Sequence, residues 1–118
     1  MSDDCLFCKI LDGEIPAEIV HESDTTIACR DINPQAPTHV LVIPKGSYIS
    51  LDDFTEKASA EEVGRFFKTV GEIARSLGLE TDGFRTIANT GLNGGQEVPH
   101  LHIHIFGGRS LGPMLGNA

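Results

Sequence analysis

The most informative stretch of the sequence is HLHIHIF, residues 100–106. Successive side chains on a β-strand point to opposite faces of the sheet, so a strand here would place His100, His102 and His104 on one face. The apolar residues between them would then face the core. Three of the chain's five histidines lie within residues 100–104. The pattern therefore predicts a strand with a functional polar face.

Two chemistries fit this triplet of histidines. Histidine is a common zinc ligand, but residues i and i+4 of a strand lie roughly 13 Å apart. One ion with ligand bonds of about 2 Å cannot bridge that span, so at most adjacent pairs could share an ion. The alternative is that a neutral imidazole attacks an electrophile while its neighbours position and protonate the substrate. The spacing favours this second chemistry.

A glycine-rich loop directly precedes the predicted strand. Residues 89–96 have the sequence NTGLNGGQ, and glycines leave backbone N–H groups free to turn toward an anion. The loop has no P-loop lysine and does not begin a helix, so neither a Walker site nor a dinucleotide-binding site fits. Next to the histidines, the loop predicts a phosphate or phosphoramidate ester as the electrophile.

The remaining pattern predicts one α+β domain over residues 1–118, with a five-stranded antiparallel sheet, one long helix and one short helix. The strands are expected at Ile19–Val20, Thr25–Cys29, His39–Ile43, Phe84–Ala88 and His100–Phe106. The short helix is expected at Cys5–Leu11. The long helix follows from an apolar stripe between Val63 and Leu77, with Ser59 and Glu62 as its capping box.

Composition excludes several classes of protein. The 118 residues include 9 basic and 17 acidic side chains, for a net charge of −8. This balance speaks against nucleic acid as a partner, because such binding requires basic residues. The longest aliphatic run, Val40–Ile43, is far short of the roughly 20 residues needed to cross a membrane. Without a signal segment or a disulfide framework, a cytoplasmic protein with no membrane partner is expected.

Several motifs together resemble the signature of the histidine triad (HIT) superfamily. The resemblance rests on GGQEVPHLHIH at 94–104 and DINPQAPTHVLVIPK at 31–45. The segments FCKI at 7–10, EIP at 14–16 and GGR at 107–109 also match. The GGR ending and the short length are similar to the Hint branch of the superfamily.

This resemblance implies a hydrolase of purine nucleoside 5′-phosphoramidates (AMP or GMP type) that needs no cofactor for catalysis. His102 matches the nucleophile, which forms a nucleotidyl-histidine intermediate. His104 matches a phosphate-binding group, and His39 and His100 match supporting histidines. Asp31 matches the carboxylate that holds the ribose hydroxyls, as an acceptor from two O–H groups would. The other nucleotide-binding positions implied are Phe7, Ile10, Ile32, Leu41, Asn89, Gly95, Gln96, Glu97 and Val98.

The resemblance also implies a homodimer, joined through the long helix and a strand. Gly64 and Gly71 lie seven residues apart on nearly one face of that helix. Glycine inside a helix costs roughly 1 kcal/mol relative to alanine. The pair therefore suggests the close approach of a second subunit, or simply two tolerated glycines.

Two positions depart from the family pattern. Glu97 stands where the animal Hint pattern has a serine, and a carboxylate there would favour amine over anionic leaving groups. Cys5 and Cys8, with His100, match a structural zinc site of some members, but Ser47 stands at the fourth ligand position. A closed structural site needs four ligands, so His39 or water would have to complete it.

Three functional hypotheses remain open at this point. The first is a nucleotidyl hydrolase that uses His102 as its nucleophile. The second is a zinc-dependent enzyme, whose activity a chelator would abolish. The third is a nucleotide-binding regulatory module without turnover, because an intact site does not guarantee a physiological substrate.

Overall fold

The computed structural model describes residues 9–10 and 13–116, and within these ranges the chain forms five strands, two complete helices and a helical segment at Lys9 and Ile10. The strands are β1 (Ile19–Glu22), β2 (Thr26–Arg30), β3 (Thr38–Pro44), β4 (Phe84–Ile87) and β5 (Ile103–Gly107). The complete helices are α1 (Leu51–Lys57) and α2 (Ala60–Ser76). All strand pairs are antiparallel, in the order β1-β2-β3-β5-β4. The predicted α+β class and five-stranded antiparallel sheet are confirmed.

Strand β3 lies at the centre of this sheet, between β2 and β5. Its residues 40–43 are buried on both faces, which explains why they form an unbroken apolar run. In the register with β5, Val40 pairs with Ile105 and Leu41 pairs with His104. This register brings His39, the histidine of β3, next to the histidines of the triad.

Helix α2 covers one face of the sheet. The Ser59 side chain accepts a hydrogen bond from the Glu62 N–H at 3.1 Å, which confirms the Ser59 half of the predicted capping box. The Glu62 side chain accepts from the Tyr48 hydroxyl at 2.9 Å instead. The apolar stripe packs through Phe66, Val70 and Ile73 into a core shared with the sheet. Neither α1 nor α2, the complete helices of the described segments, is long and apolar enough to span a membrane.

Helix α1 was not predicted from the sequence. It begins after Ser50, whose side chain accepts from the Asp53 N–H at 3.2 Å, and it buries Phe54 completely. A helix of two turns shows too little apolar periodicity to be recognised without its cap. Of the predicted short helix at Cys5–Leu11, only Lys9 and Ile10 lie within the described residues, and both are helical as predicted.

The predicted continuous strand from His100 to Phe106 is wrong in its first part, because β5 begins at Ile103. The chain is bent at His100, whose N–H donates to the Val98 carbonyl at 2.8 Å. This local turn breaks the side-chain alternation that a strand would impose. His100 therefore does not share the face that His102 and His104 present.

Candidate active site

A cleft of about 410 Å³ opens on the face of the sheet opposite α2. One part of its lining is apolar and rests on a small core beneath it, with contributions from Ile10, Ala17, Cys29, Leu41 and Val98. The other part is polar and combines the triad with the glycine-rich loop, through Asn89, Gly95, Glu97, His102 and His104. A cleft with one apolar and one polar part suits a ligand of the same two-part character.

His102 is buried in this cleft with a defined proton position. Its Nδ1 lies 2.8 Å from the backbone carbonyl oxygen of His100. Because a carbonyl oxygen only accepts hydrogen bonds, the Nδ1 carries the ring proton of the neutral side chain. The Nε2 therefore carries the lone pair, which is the state that a nucleophilic imidazole requires.

His39 and His104 form a second hydrogen-bonded unit behind the cleft. The Nδ1 of His39 accepts from the Gln35 N–H at 3.2 Å, so the proton of the neutral ring lies on Nε2. This Nε2 lies 3.0 Å from the Nδ1 of His104. The Nδ1 of His104 is then the acceptor, and the proton of His104 lies on its Nε2. The pair thus provides a ring N–H donor at the wall of the cleft.

Burial keeps these imidazoles neutral. It lowers the pKa of His39 and of His102, and the pKa of His104 falls to about 4 through burial and the neighbouring His102 and His39. A neutral ring keeps the lone pair that nucleophilic attack needs. The 3.5 Å approach of Asp31 Oδ2 to His39 Nε2 is accordingly a contact with a neutral ring at pH 7 rather than an ion pair.

Ring packing fixes the orientation of these histidines. The ring of Phe106 stacks on His104 with centroids 5.5 Å apart, and it also contacts His39 at 4.2 Å. His102 and His104 meet edge to face at 4.9 Å. Sequence reasoning missed Phe106 as a residue of this site, although its position two residues after His104 was a usable signal.

The alternative of metal chemistry is not favoured by the hydrogen bonds of a cluster formed by Asp31, His39 and His104. Asp31, His39 and His104 bring one ligand atom each to within 4.8 Å of one another. A metal-bound histidine, however, usually donates its other ring N–H to an acceptor. The other nitrogen of His39 faces a donor instead, the Gln35 N–H. The cluster is therefore arranged as a hydrogen-bonded chain rather than as a set of ligands.

The predicted structural zinc site is only partly within the described residues. Cys5 and Cys8 lie outside them, as does Phe7 of the predicted base pocket. His100 is buried, and its Nε2 donates to the Pro44 carbonyl oxygen at 3.0 Å. That contact accounts for one ring nitrogen of His100, and the zinc site stays a prediction.

The predicted binding residues divide into those that line the cleft and those that support it. The cleft is lined by Ile10, Asp31, Ile32, Leu41, Asn89, Gly95, Glu97, Val98, His102 and His104. Gln96 instead supports the loop, because its Nε2 donates to the carbonyls of Ile49 and Val98 while its Oε1 accepts from the Gly91 N–H. The lining at Cys29 and Ala17 was not predicted as part of the site.

The buried Cys29 is not a second nucleophile. Burial raises the pKa of its thiol, and the nearby Asp31 carboxylate raises it further. A protonated thiol is a weak nucleophile. The reactive groups of the cleft are therefore its histidines.

The fold and the site together define an α+β protein in which neutral histidines face a glycine-rich loop, as histidine-based phosphate-ester chemistry requires. The HIT domain family model matches residues 12–111. The chain belongs to this family.

Relatives of known sequence and structure agree with this assignment. An uncharacterized 13.2 kDa HIT-like protein of Azospirillum brasilense is 53% identical over 110 residues, which cover 93% of this chain and 90% of that protein. The purine nucleoside phosphoramidase of Escherichia coli K12 is 44% identical over 117 residues, or 99% and 98% of the two chains. A HIT family hydrolase from Legionella pneumophila superposes with a TM-score of 0.88 at 42% identity, covering 96% and 100%.

Proposed function

We propose that the protein hydrolyses purine nucleoside 5′-phosphoramidates through a covalent nucleotidyl intermediate on His102. The observation that carries this proposal is the proton position of His102. Its Nδ1–H is held by the His100 carbonyl, so the Nε2 lone pair is in the state that attacks phosphorus. The 44% identity to a purine nucleoside phosphoramidase supports the choice of substrate class.

The cleft offers a place for each part of such a substrate. The apolar lining formed with Ile10 and Leu41 accepts the base, and the Asp31 carboxylate accepts hydrogen bonds from the ribose hydroxyls. The phosphate lies between the glycine-rich loop and His104, whose Nε2–H donates to a phosphoryl oxygen. Placement of the phosphorus next to His102 converts the attack into an intramolecular step.

The reaction then proceeds in two displacements at phosphorus. In the first, the Nε2 of His102 forms a bond to phosphorus while the P–N bond breaks, and the leaving nitrogen takes up a proton and departs as an amine. The nucleotidyl imidazolium carries a positive charge, which the His100 carbonyl stabilises through the Nδ1–H. In the second, water attacks phosphorus and gives its proton to solvent while the bond between phosphorus and His102 Nε2 breaks. The bonding pair returns to Nε2, which releases the nucleoside monophosphate and neutral His102.

Glu97 is proposed to select the leaving group. Its carboxylate is exposed at the lining of the cleft, close to the polar part formed by the loop and His102. A negative charge there repels anionic leaving groups and attracts an amine that becomes protonated. This proposal accounts for a carboxylate beside a phosphate site, where electrostatics alone would disfavour it.

The homodimer is proposed to form along β4 and α2. Strand β4 is an edge strand of the sheet, so one side of it lacks a partner strand within the described chain. Phe84 and Phe67 are about two-fifths exposed there, at 42% and 41%. A Cβ added at Gly64 would meet nothing within 4 Å, so this face of α2 is open to a second helix.

The experiment that tests the proposed function is hydrolysis of adenosine 5′-phosphoramidate by the wild type and by His102→Ala, with a chelator present throughout. Turnover by the wild type alone is expected. Absence of turnover by the wild type, with AMP still bound in a calorimetric titration, would favour the regulatory module. Turnover that appears only after zinc is added back would favour the zinc-dependent enzyme.

A further inference from the structure

The GGR segment at the end of β5 is connected to the histidines by a chain of hydrogen bonds. The Nη2 of Arg109 donates to the Gln35 carbonyl oxygen at 3.1 Å, across 74 residues of sequence. The Gln35 N–H donates to His39 Nδ1 at 3.2 Å, and His39 Nε2 contacts His104 Nδ1 at 3.0 Å. The side chain of Arg109 is therefore three hydrogen bonds away from His104.

The segment that Arg109 holds is a loop of residues 33–37, with the sequence NPQAP. Pro34 and Pro37 have no N–H to donate, so the loop has few backbone donors that could anchor it. The Asn33 N–H is used on the Asp31 side chain at 2.8 Å, and the Gln35 N–H is used on His39. The position of the Gln35 backbone, N–H and carbonyl alike, therefore depends on contacts from outside the loop.

The turn after β5 places Arg109 on this loop. Gly108 has a φ of +95°, a conformation that favours glycine, and a Cβ at this position would lie 2.8 Å from the Cβ of Pro37. The chain thus passes directly over Pro37 and turns there, which brings the guanidinium to Gln35. The other arm of the guanidinium, Nη1, donates to the Ser110 carbonyl at 2.7 Å.

We propose that Arg109 is a positioning residue for the proton of His39. By holding the 33–37 loop, it keeps the Gln35 N–H on His39 Nδ1, so that the His39 proton stays on Nε2 and is donated to His104. The effect on catalysis rests on the function proposed above, whereas the effect on His39 does not. In the sequence, the GGR segment was informative only about family membership.

The proton position of His39 determines what His104 can do. With the Gln35 N–H in place, His104 accepts at Nδ1 and keeps its own proton on Nε2, where it can be donated to a phosphoryl oxygen. If the loop moves away, either nitrogen of His39 can carry the proton. In the inverted arrangement His104 donates from Nδ1, and its Nε2 has no proton to donate to the substrate.

The test compares Arg109→Gln and Arg109→Lys with Arg85→Gln. Arg85 is the control, because it is a half-buried arginine that likewise donates to two backbone carbonyls of the C-terminal segment, those of Gly112 and Pro113. The readouts are the nitrogen-15 chemical shifts of the histidine rings, which distinguish protonated from unprotonated nitrogens, and kcat and KM for adenosine 5′-phosphoramidate. Thermal unfolding of each variant verifies that it is folded.

For Arg109→Gln we expect the His39 Nδ1 shift to move toward the protonated value. We also expect kcat to fall about tenfold, the factor that corresponds to one hydrogen bond of ordinary strength, while KM changes by less than about threefold. Arg109→Lys restores part of both effects, because an ammonium can reach one carbonyl. Arg85→Gln changes neither readout.

Unchanged His39 shifts in Arg109→Gln would overturn the inference, and so would equal changes in Arg85→Gln. Changed shifts with an unchanged kcat would also overturn it, since the proton position would then not matter for catalysis. If the wild type does not hydrolyse the substrate, the proposed function fails. In that case the ring shifts of His39 alone decide whether Arg109 positions its proton.

Discussion

Alternate residues of β3 and β5 face opposite sides of the sheet, and the two sides are held by different kinds of interaction. On the face toward α2, Val42, Ile103 and Ile105 are buried among apolar side chains, where volume and hydrophobicity decide the fit. On the cleft face, His39 and His104 are held by individual hydrogen bonds and ring contacts. From this difference we expect neighbouring residues of β5 to affect stability and chemistry to very different degrees.

After His102→Ala, the largest loss of activity is expected for His104→Ala, on the cleft face. The change removes the ring N–H that is proposed to bind the phosphoryl oxygen, so kcat/KM should fall about 10²–10³-fold, the usual cost of one oxyanion donor. The free energy of unfolding should fall by about 1–3 kcal/mol, because the buried Nε2–H of His39 loses its acceptor. Steady-state kinetics and urea unfolding of the same preparation measure both quantities. A large loss of stability in His104→Ala without a loss of kcat/KM would contradict the expected difference between the cleft side and the apolar side.

The neighbouring Ile105→Ala should show the opposite behaviour. Ile105 is fully buried against α2, so its truncation should lower the free energy of unfolding by about 2–5 kcal/mol through lost apolar contact and a cavity. Because the histidines lie on the other face, kcat/KM per folded molecule should remain within about threefold of the wild type. Ile105→Val is the milder control, with an expected loss of about 0.5–1.5 kcal/mol.

The apolar side of the sheet could be predicted from the sequence more fully than the cleft side. The stripe from Val63 to Leu77 was sufficient for α2, because helix burial depends on a periodic pattern. The contact between His39 and His104 was not predictable, because it depends on the register of β3 with β5 and on the Gln35 N–H. The turn at His100 was likewise missed, since the alternation of residues 100–106 gives no sign of it.

The pH dependence distinguishes the buried histidines from ordinary ones. The pKa values of His39, His102 and His104 are lowered in the folded state, so on acidification the unfolded chain binds protons first. The free energy of unfolding is therefore undiminished by these histidines above about pH 6.5, the ordinary histidine pKa. It falls progressively as the pH decreases toward about 4, the pKa of His104 in the folded protein. We expect kcat/KM, which reports the free enzyme, to stay constant as the pH falls through 6.5. It should decline only at more acidic pH, where the lowered pKa values of the buried histidines are reached. An inflection at the ordinary histidine pKa would contradict the burial account.

The smallest effect is expected at the exposed rim of the cleft, for Glu97→Ser. The kcat/KM ratio between an amine-leaving substrate and an anion-leaving substrate, such as a mixed phosphoric anhydride, should fall by about two- to fivefold, because an exposed charge is screened. Both substrates share the adenosine 5′-phosphoryl group, so binding of the nucleotide cancels in the ratio. Glu80→Ser, an exposed carboxylate outside the cleft lining, is the control. An unchanged ratio in Glu97→Ser would remove Glu97 from the account of selectivity.

Mass spectrometry of the rapidly quenched protein would detect the covalent bond that His102 is proposed to form to phosphorus. Wild type mixed with excess adenosine 5′-phosphoramidate, quenched in alkaline denaturant and digested, should yield a peptide containing residues 100–106 with an adenylyl group on His102. His102→Ala should yield no such adduct. Turnover by the wild type with the adduct on another residue would contradict a nucleophilic His102. So would the absence of any adduct on the wild type together with amine release by His102→Ala at an undiminished rate.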